Sequence, residues 1–226
     1  MSLAWTRIVP SGKKGGEVNK QGVAWYRDVL VALRDAGITP FVTLYHWDLP
    51  QSLHDDYGGW LDRKIIADFE YYARVCFEHL GDLVDNWFTM NEPNILAIHG
   101  YRTGEKAPGQ SSNRDISPVG DSSVDHLTVG HHLLLSHATA VRLYRTKFRK
   151  GKISLVVNIN WGEPIDDSAE SQLAARKHFE CWSGWFTDPV VFGDYPELLK
   201  VTAGDKLPVF TDDEKALVKG STDTMA

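Results

Sequence analysis

Residues Trp87-Phe88-Thr89-Met90-Asn91-Glu92-Pro93 end a short apolar, aromatic run in a carboxamide, a carboxylate and a proline. A carboxylic acid at such a break can protonate a leaving oxygen, and a neighbouring amide can hold a hydroxyl while it does so. The run itself reads as a buried strand of a parallel sheet. Pro93 has no N–H to give to a ladder and so terminates it. Glu92 is therefore expected to project from the carboxyl end of a strand, where α/β barrels gather their catalytic residues. To hold a proton near neutral pH, a carboxyl there needs surroundings that disfavour its charge, and burial among aromatic side chains supplies them.

A second run, Phe41-Val42-Thr43-Leu44-Tyr45-His46-Trp47-Asp48-Leu49-Pro50, also passes from apolar residues to polar and aromatic ones and then to a proline, and Tyr57-Gly58-Gly59-Trp60 follows it. Together with Ser2-Leu3-Ala4-Trp5-Thr6-Arg7-Ile8, these motifs resemble the second-, third- and fourth-strand motifs of family 1 glycoside hydrolases, the β-glucosidase family. The resemblance runs from residue 2 to about residue 222. It implies retaining hydrolysis of O-glycosidic bonds in carbohydrate metabolism, by two carboxyl groups about 5–5.5 Å apart, acting on a β-glucoside or oligosaccharide. By the same resemblance Glu92 is the general acid/base, His46 bonds the glycone hydroxyls, Trp47 walls that subsite, and Asn91 holds the sugar 2-hydroxyl. Arg7 matches the arginine beside the family's nucleophile, where a cation favours the ionised carboxylate. Asn158 is a candidate for the aglycone side.

The family's nucleophile lies in a Thr-Glu-Asn-Gly motif that this sequence does not contain. Glu163, in Asn160-Trp161-Gly162-Glu163-Pro164, is the local rival. On an adjacent strand it would stand about 4.8 Å from Glu92 at the backbone, but the resemblance places it in a loop near the aglycone side. An inverting route using Glu92 with another carboxylate would need carboxyls about 6.5–9.5 Å apart. The alternative to an active enzyme is a catalytically inactive half-barrel that binds sugar weakly, assembles with a complementary fragment, or self-associates.

The elements that must position these groups alternate. Strand-like runs lie near residues 2–9, 41–47, 86–91 and 153–161, with helical periodicity over 21–36, 63–80, 125–149 and 169–185. Asp62 and Gly81 suit the two ends of the second helix. Thr211-Asp212-Asp213-Glu214 reads as a capping box. The loop over 99–124, directly after Glu92, is placed to shape a substrate site. This is βα repetition around a parallel sheet, a partial TIM (β/α)8 barrel of about four units in one domain spanning residues 1–226. A closed barrel takes eight units, about 450 residues at this spacing. The expectation is therefore the second to fifth units of a larger barrel, truncated at both ends. Thr224-Met225-Ala226 departs from the family pattern. Cut strands would leave open barrel edges through which the chain self-associates.

Composition excludes other classes. Hydrophobic residues make up 42% and charged ones 24%, an ordinary globular balance. A net charge of −6 and a basic cluster confined to the end of one helix argue against nucleic acid. No apolar run reaches membrane-spanning length. Cys76 and Cys181 make neither a disulfide framework nor a zinc site. His126, His131, His132 and His137 share a helix without metal-ligand spacing, so they are expected to form a solvated or interhelical polar face, with no metal or other cofactor. The absence of a recognisable leader favours a cytoplasmic location.

Overall fold

The structure is a computed structural model describing residues 1–224. The helices are α1 (Trp5–Ile8), α2 (Lys20–Asp35), α3 (Gln51–Tyr57), α4 (Ile65–Leu80), α5 (Pro93–Tyr101), α6 (Asp125–Lys147), α7 (Ala169–Phe179), α8 (Trp185–Phe192), α9 (Glu197–Ala203) and α10 (Asp212–Val218). The strands β1 (Phe41–Tyr45), β2 (Asn86–Asn91) and β3 (Lys152–Val156) form one parallel sheet in that order. Among the described residues no helix is long and apolar enough to cross a membrane. The chain divides into two compact units: residues 1–91, 135–156 and 221 onward in one, residues 92–134 and 157–220 in the other.

The first unit holds the sheet. Phe41 pairs with Asn86 and Tyr45 with Met90, so β1 and β2 run in step. Between Phe88 and Asn91 the register against β3 slips: Phe88 faces Ser154, whereas Asn91 faces Val156. Three residues of β2 thus advance against two of β3, an irregularity of the kind that re-aims the side chains beyond it. The amphipathic pattern of α4 buries Ile65, Phe69, Tyr72, Cys76, Phe77 and Leu80. Aromatic rings fill the space beneath β1. Trp5 stacks on Tyr72 at 4.9 Å between centroids, the Tyr72 hydroxyl donates to the Leu44 carbonyl at 2.7 Å, and the Trp60 indole donates to the Tyr45 hydroxyl at 2.9 Å. Buried polar tips of aromatic residues normally find such partners, and here they fix the last two residues of β1.

Several expectations are corrected. The strand expected over 2–9 is a single bridge from Ser2 to Thr43 followed by α1. Leu3 and Trp5 alternate as in a strand, but Trp5, Ile8 and Val9 fall on the buried side of a helical turn. The runs expected over 41–47 and 153–161 stop at Tyr45 and Val156. Helix α5 stands between Glu92 and the long loop. The helix expected over 169–185 gives way after Phe179 to a π-helical turn over Glu180–Gly184 before α8 begins. Asp62 accepts from the Lys64 N–H at 2.8 Å ahead of the N-cap position. Gly81, at φ −65° and ψ −18°, ends α4 without a left-handed turn.

In the second unit, α6 packs closely on α8 at Gly130. A Cβ there would stand 2.3 Å from Trp185 Cζ2, so the glycine is what admits the indole. The capping box opens α10: the Glu214 N–H donates to Thr211 Oγ1 and the Thr211 N–H to Glu214 Oε2. His126, His131, His132 and His137 are all buried rather than solvated. In the expected departure over Thr224-Met225-Ala226, Met225 and Ala226 lie outside the described residues.

Candidate active site

His46 follows the last residue of β1, and Asn91 is the last residue of the neighbouring β2. Trp47, next along, holds a left-handed backbone with φ 71°. Its indole Nε1–H donates to the Asn91 carbonyl at 2.8 Å, which ties the ring to the end of β2. The His46 ring meets the Trp47 ring edge-on at 5.7 Å. The first unit therefore brings His46, Trp47 and Asn91 together at the carboxyl ends of adjacent strands.

Asp48 underlies this corner. Its two carboxylate oxygens accept from the Trp5 N–H at 3.0 Å and the His46 N–H at 3.3 Å. Burial raises its pKa above the ordinary value, with the backbone donors pulling the other way. Asp48 lies within the second sequence motif, where its residue type alone assigns it no task. The signal was a carboxylate two residues from a strand end, able to accept from backbone donors.

Arg7 is not on a strand. It sits on α1, exposed, with its guanidinium 5.4 Å from the centre of the Trp25 ring. That is a cation–π distance.

Glu92 immediately follows β2 and precedes Pro93, which occupies the first turn of α5. Its φ of 43° and ψ of 58° put a non-glycine residue in the left-handed region. Such a conformation costs about 1–2 kcal/mol and marks sites where the surroundings over-determine the backbone. The Glu92 carbonyl accepts the Leu96 N–H at 3.1 Å, so one residue both ends the strand and begins the helix.

In the second unit Glu92 meets Asn158, two residues past β3. Asn158 Nδ2 donates to Glu92 Oε1 at 3.1 Å. Fully buried Asn94 holds the Asn158 backbone at both ends: its Nδ2 donates to the Asn158 carbonyl at 2.9 Å, and its Oδ1 accepts the Asn158 N–H at 3.3 Å. Asn158 Oδ1 accepts from Trp182 Nε1 at 3.3 Å. Sequence reading missed Asn94 and Trp182. Asn94, two residues after Glu92, was the available signal; nothing in the sequence marks Trp182. Glu163 is exposed, in irregular chain well beyond β3.

The second unit also contains a cavity of about 390 Å³, whose lining includes Arg102, His126, Cys181, Trp185 and Lys206 but none of the residues just named. Burial, with Arg102 nearby, pushes His126 down to about 4.

Comparison with known proteins follows the same lines. The sequence profile of glycosyl hydrolase family 1 matches residues 1–226. The chain is 50% identical to beta-glucosidase 1B of Phanerodontia chrysosporium over 98% of its own length and 42% of that protein's. It is 44% identical to beta-glucosidase 6 of Oryza sativa subsp. japonica over 98% of its length and 43% of that protein's. It superposes on a GH1 beta-glucosidase from the fungus Humicola insolens, solved in complex with glucose, with a TM-score of 0.97 at 43% identity, covering 99% of this chain and 48% of that one. A rice beta-glucosidase gives a TM-score of 0.96 at 44% identity, with the same coverage. The chain spans less than half the length of these curated relatives. Its α/β architecture of parallel strands and intervening helices is that of part of a (β/α)8 barrel.

Proposed function

The chain belongs to glycosyl hydrolase family 1, and on that premise we propose that it carries the acid/base side of a retaining β-glucosidase site. The observation that carries the reading is Glu92, held in a left-handed turn at the end of β2 with Asn158 on its carboxyl group. Glu92 delivers a proton to the leaving glycosidic oxygen and later takes one from the attacking water. His46, Trp47 and Asn91 form the glycone side, with the indole as a wall for the C–H face of a sugar ring and the Asn91 amide on the 2-hydroxyl. Asn158 faces the aglycone while holding Glu92. Arg7 supports the carboxylate opposite Glu92 in the assembled site.

That opposing carboxylate is needed for double displacement, and the sequence contains no Thr-Glu-Asn-Gly motif to supply it. We therefore expect the isolated chain to turn over a nitrophenyl β-glucoside negligibly, because losing one member of a cooperating catalytic set commonly costs several orders of magnitude. Joined or mixed with polypeptide carrying the first and the sixth to eighth βα units, it should hydrolyse the substrate with retention. In that complex Glu92→Gln should abolish most hydrolysis of substrates with poor leaving groups and spare activated ones, which depart with less protonation. Robust hydrolysis by the chain alone, lost on Glu163→Gln, would overturn this reading and make Glu163 the working partner.

A further inference from the structure

We propose that Trp182 is a positioning residue that fixes which oxygen of Glu92 carries the proton. The inference rests on Glu92 being the acid, but its geometry can be tested without turnover. The Asn158 carboxamide lies between two groups: its Oδ1 is 3.3 Å from Trp182 Nε1 and its Nδ2 is 3.1 Å from Glu92 Oε1. An indole N–H only donates, so it requires the amide oxygen on its side, and the NH2 then turns toward Glu92.

The consequence depends on the protonation state of Glu92. An ionised carboxylate only accepts, so it would orient Asn158 by itself. A protonated carboxyl can also donate, and would tolerate Asn158 flipped with its oxygen toward Glu92. Trp182 removes that option, because the flipped amide would set NH2 against N–H. Asn158 thus remains a donor to Oε1 in both states, and the proton that Glu92 delivers sits on Oε2.

The local fold supports this role. Trp182 lies in the π-helical turn Glu180–Gly184, a widening of helical geometry frequent at functional sites. Its ring packs nearly parallel to His178, at 6.3 Å and 22°. Asn94 Nδ2 reaches the Trp182 carbonyl at 3.4 Å as well as the Asn158 carbonyl, so one buried amide holds the backbone beneath both partners.

The test replaces Trp182 with benzothienylalanine, which keeps the ring shape but has sulfur in place of the N–H. Trp182→Phe serves as a second variant, and transverse-relaxation-optimised 15N spectra of the Asn158 side chain, assigned with Asn158→Asp, are the readout. In the parent chain the two Nδ2 protons should stay well separated whether Glu92 is ionised or protonated. In the isostere their separation should fall at least two-fold where Glu92 is protonated and recover where it is ionised. Glu92→Gln should remove the pH dependence in every background. An isostere whose Asn158 signals overlay those of the parent in both states overturns the proposal, since a packing role alone predicts that overlay. Because no turnover enters the measurement, its failure is separable from failure of the acid/base assignment.

Discussion

Glu92 and Trp47 are the non-glycine residues with positive φ among those described, and both sit just past a strand end. Strain concentrated in this way is held by surrounding bonds: Asn158 on one residue, the Asn91 carbonyl on the other. Asp48 extends the same logic to His46. Asp48→Asn keeps the shape but leaves one amide oxygen for a part-buried Trp5 N–H and an exposed His46 N–H, and one lost hydrogen bond of this kind costs about 0.5–1.5 kcal/mol. Urea unfolding should show a loss of that order. The pH sign follows from its pKa being raised by burial. The folded state favours the protonated form, so this contribution is present below the unfolded value and declines as pH rises through the higher folded one. Asp48→Asn should flatten that decline. The position of Glu92 at a strand end was legible because the Asn-Glu-Pro run announces it in sequence. Its left-handed backbone, and its hold by Asn158 through Asn94 and Trp182, were not. They arise from contacts between residues 64 and 88 positions apart, with no local period to betray them.

Among the elements, α6 carries the clearest pH signal. Burial pushes His137 down to about 3 and His126 to about 4. Both therefore stay neutral when folded, while an unfolded chain protonates them near pH 6.5. Their stabilisation is complete above that value and is lost as pH falls through the window to the folded values, by about 1 kcal/mol per pH unit for each histidine. Thermal melts between pH 7 and 4.5 should show a steep acid limb, and the shallower limb of His137→Gln would identify its share. Gly130→Ala tests the α6–α8 approach. Helix propensity favours alanine by about 1 kcal/mol, but overpacking against a rigid ring costs about 1–3 kcal/mol. A net loss of about 1 kcal/mol is expected, with a change in Trp185 fluorescence. The main helices and three of the four strand-like runs were readable from apolar periodicity. Some misreadings fell where that periodicity is ambiguous: over residues 2–9, where strand and helical spacings coincide, and at Glu180–Gly184, where the turn widens to place Trp182; others fell at element ends and at the short α5, where the window is too brief to show a period.

For the whole molecule, we propose self-association through a second copy of the chain. Ile159, Trp161 and Ile165 are 54%, 74% and 94% exposed, and large apolar side chains left this open are what a contact surface draws on. The sheet edges contribute less. Leu3 bonds across to Thr43 on the β1 side, and Asp223 bonds to Ile153 on the β3 side, which leaves fewer open ladder groups than bare edges would. Sedimentation should show mass rising with concentration, and Trp161→Ser with Ile165→Lys should lower it. A mass constant across a hundred-fold dilution series would count against the proposal. The two units also interleave along the chain, since the first needs residues 1–91, 135–156 and 221 onward while the second needs 92–134 and 157–220. During synthesis on the ribosome, then, neither can close early. Ile153 waits for Asp223 to emerge, and each unit keeps apolar surface open until the last of its own segments has been made.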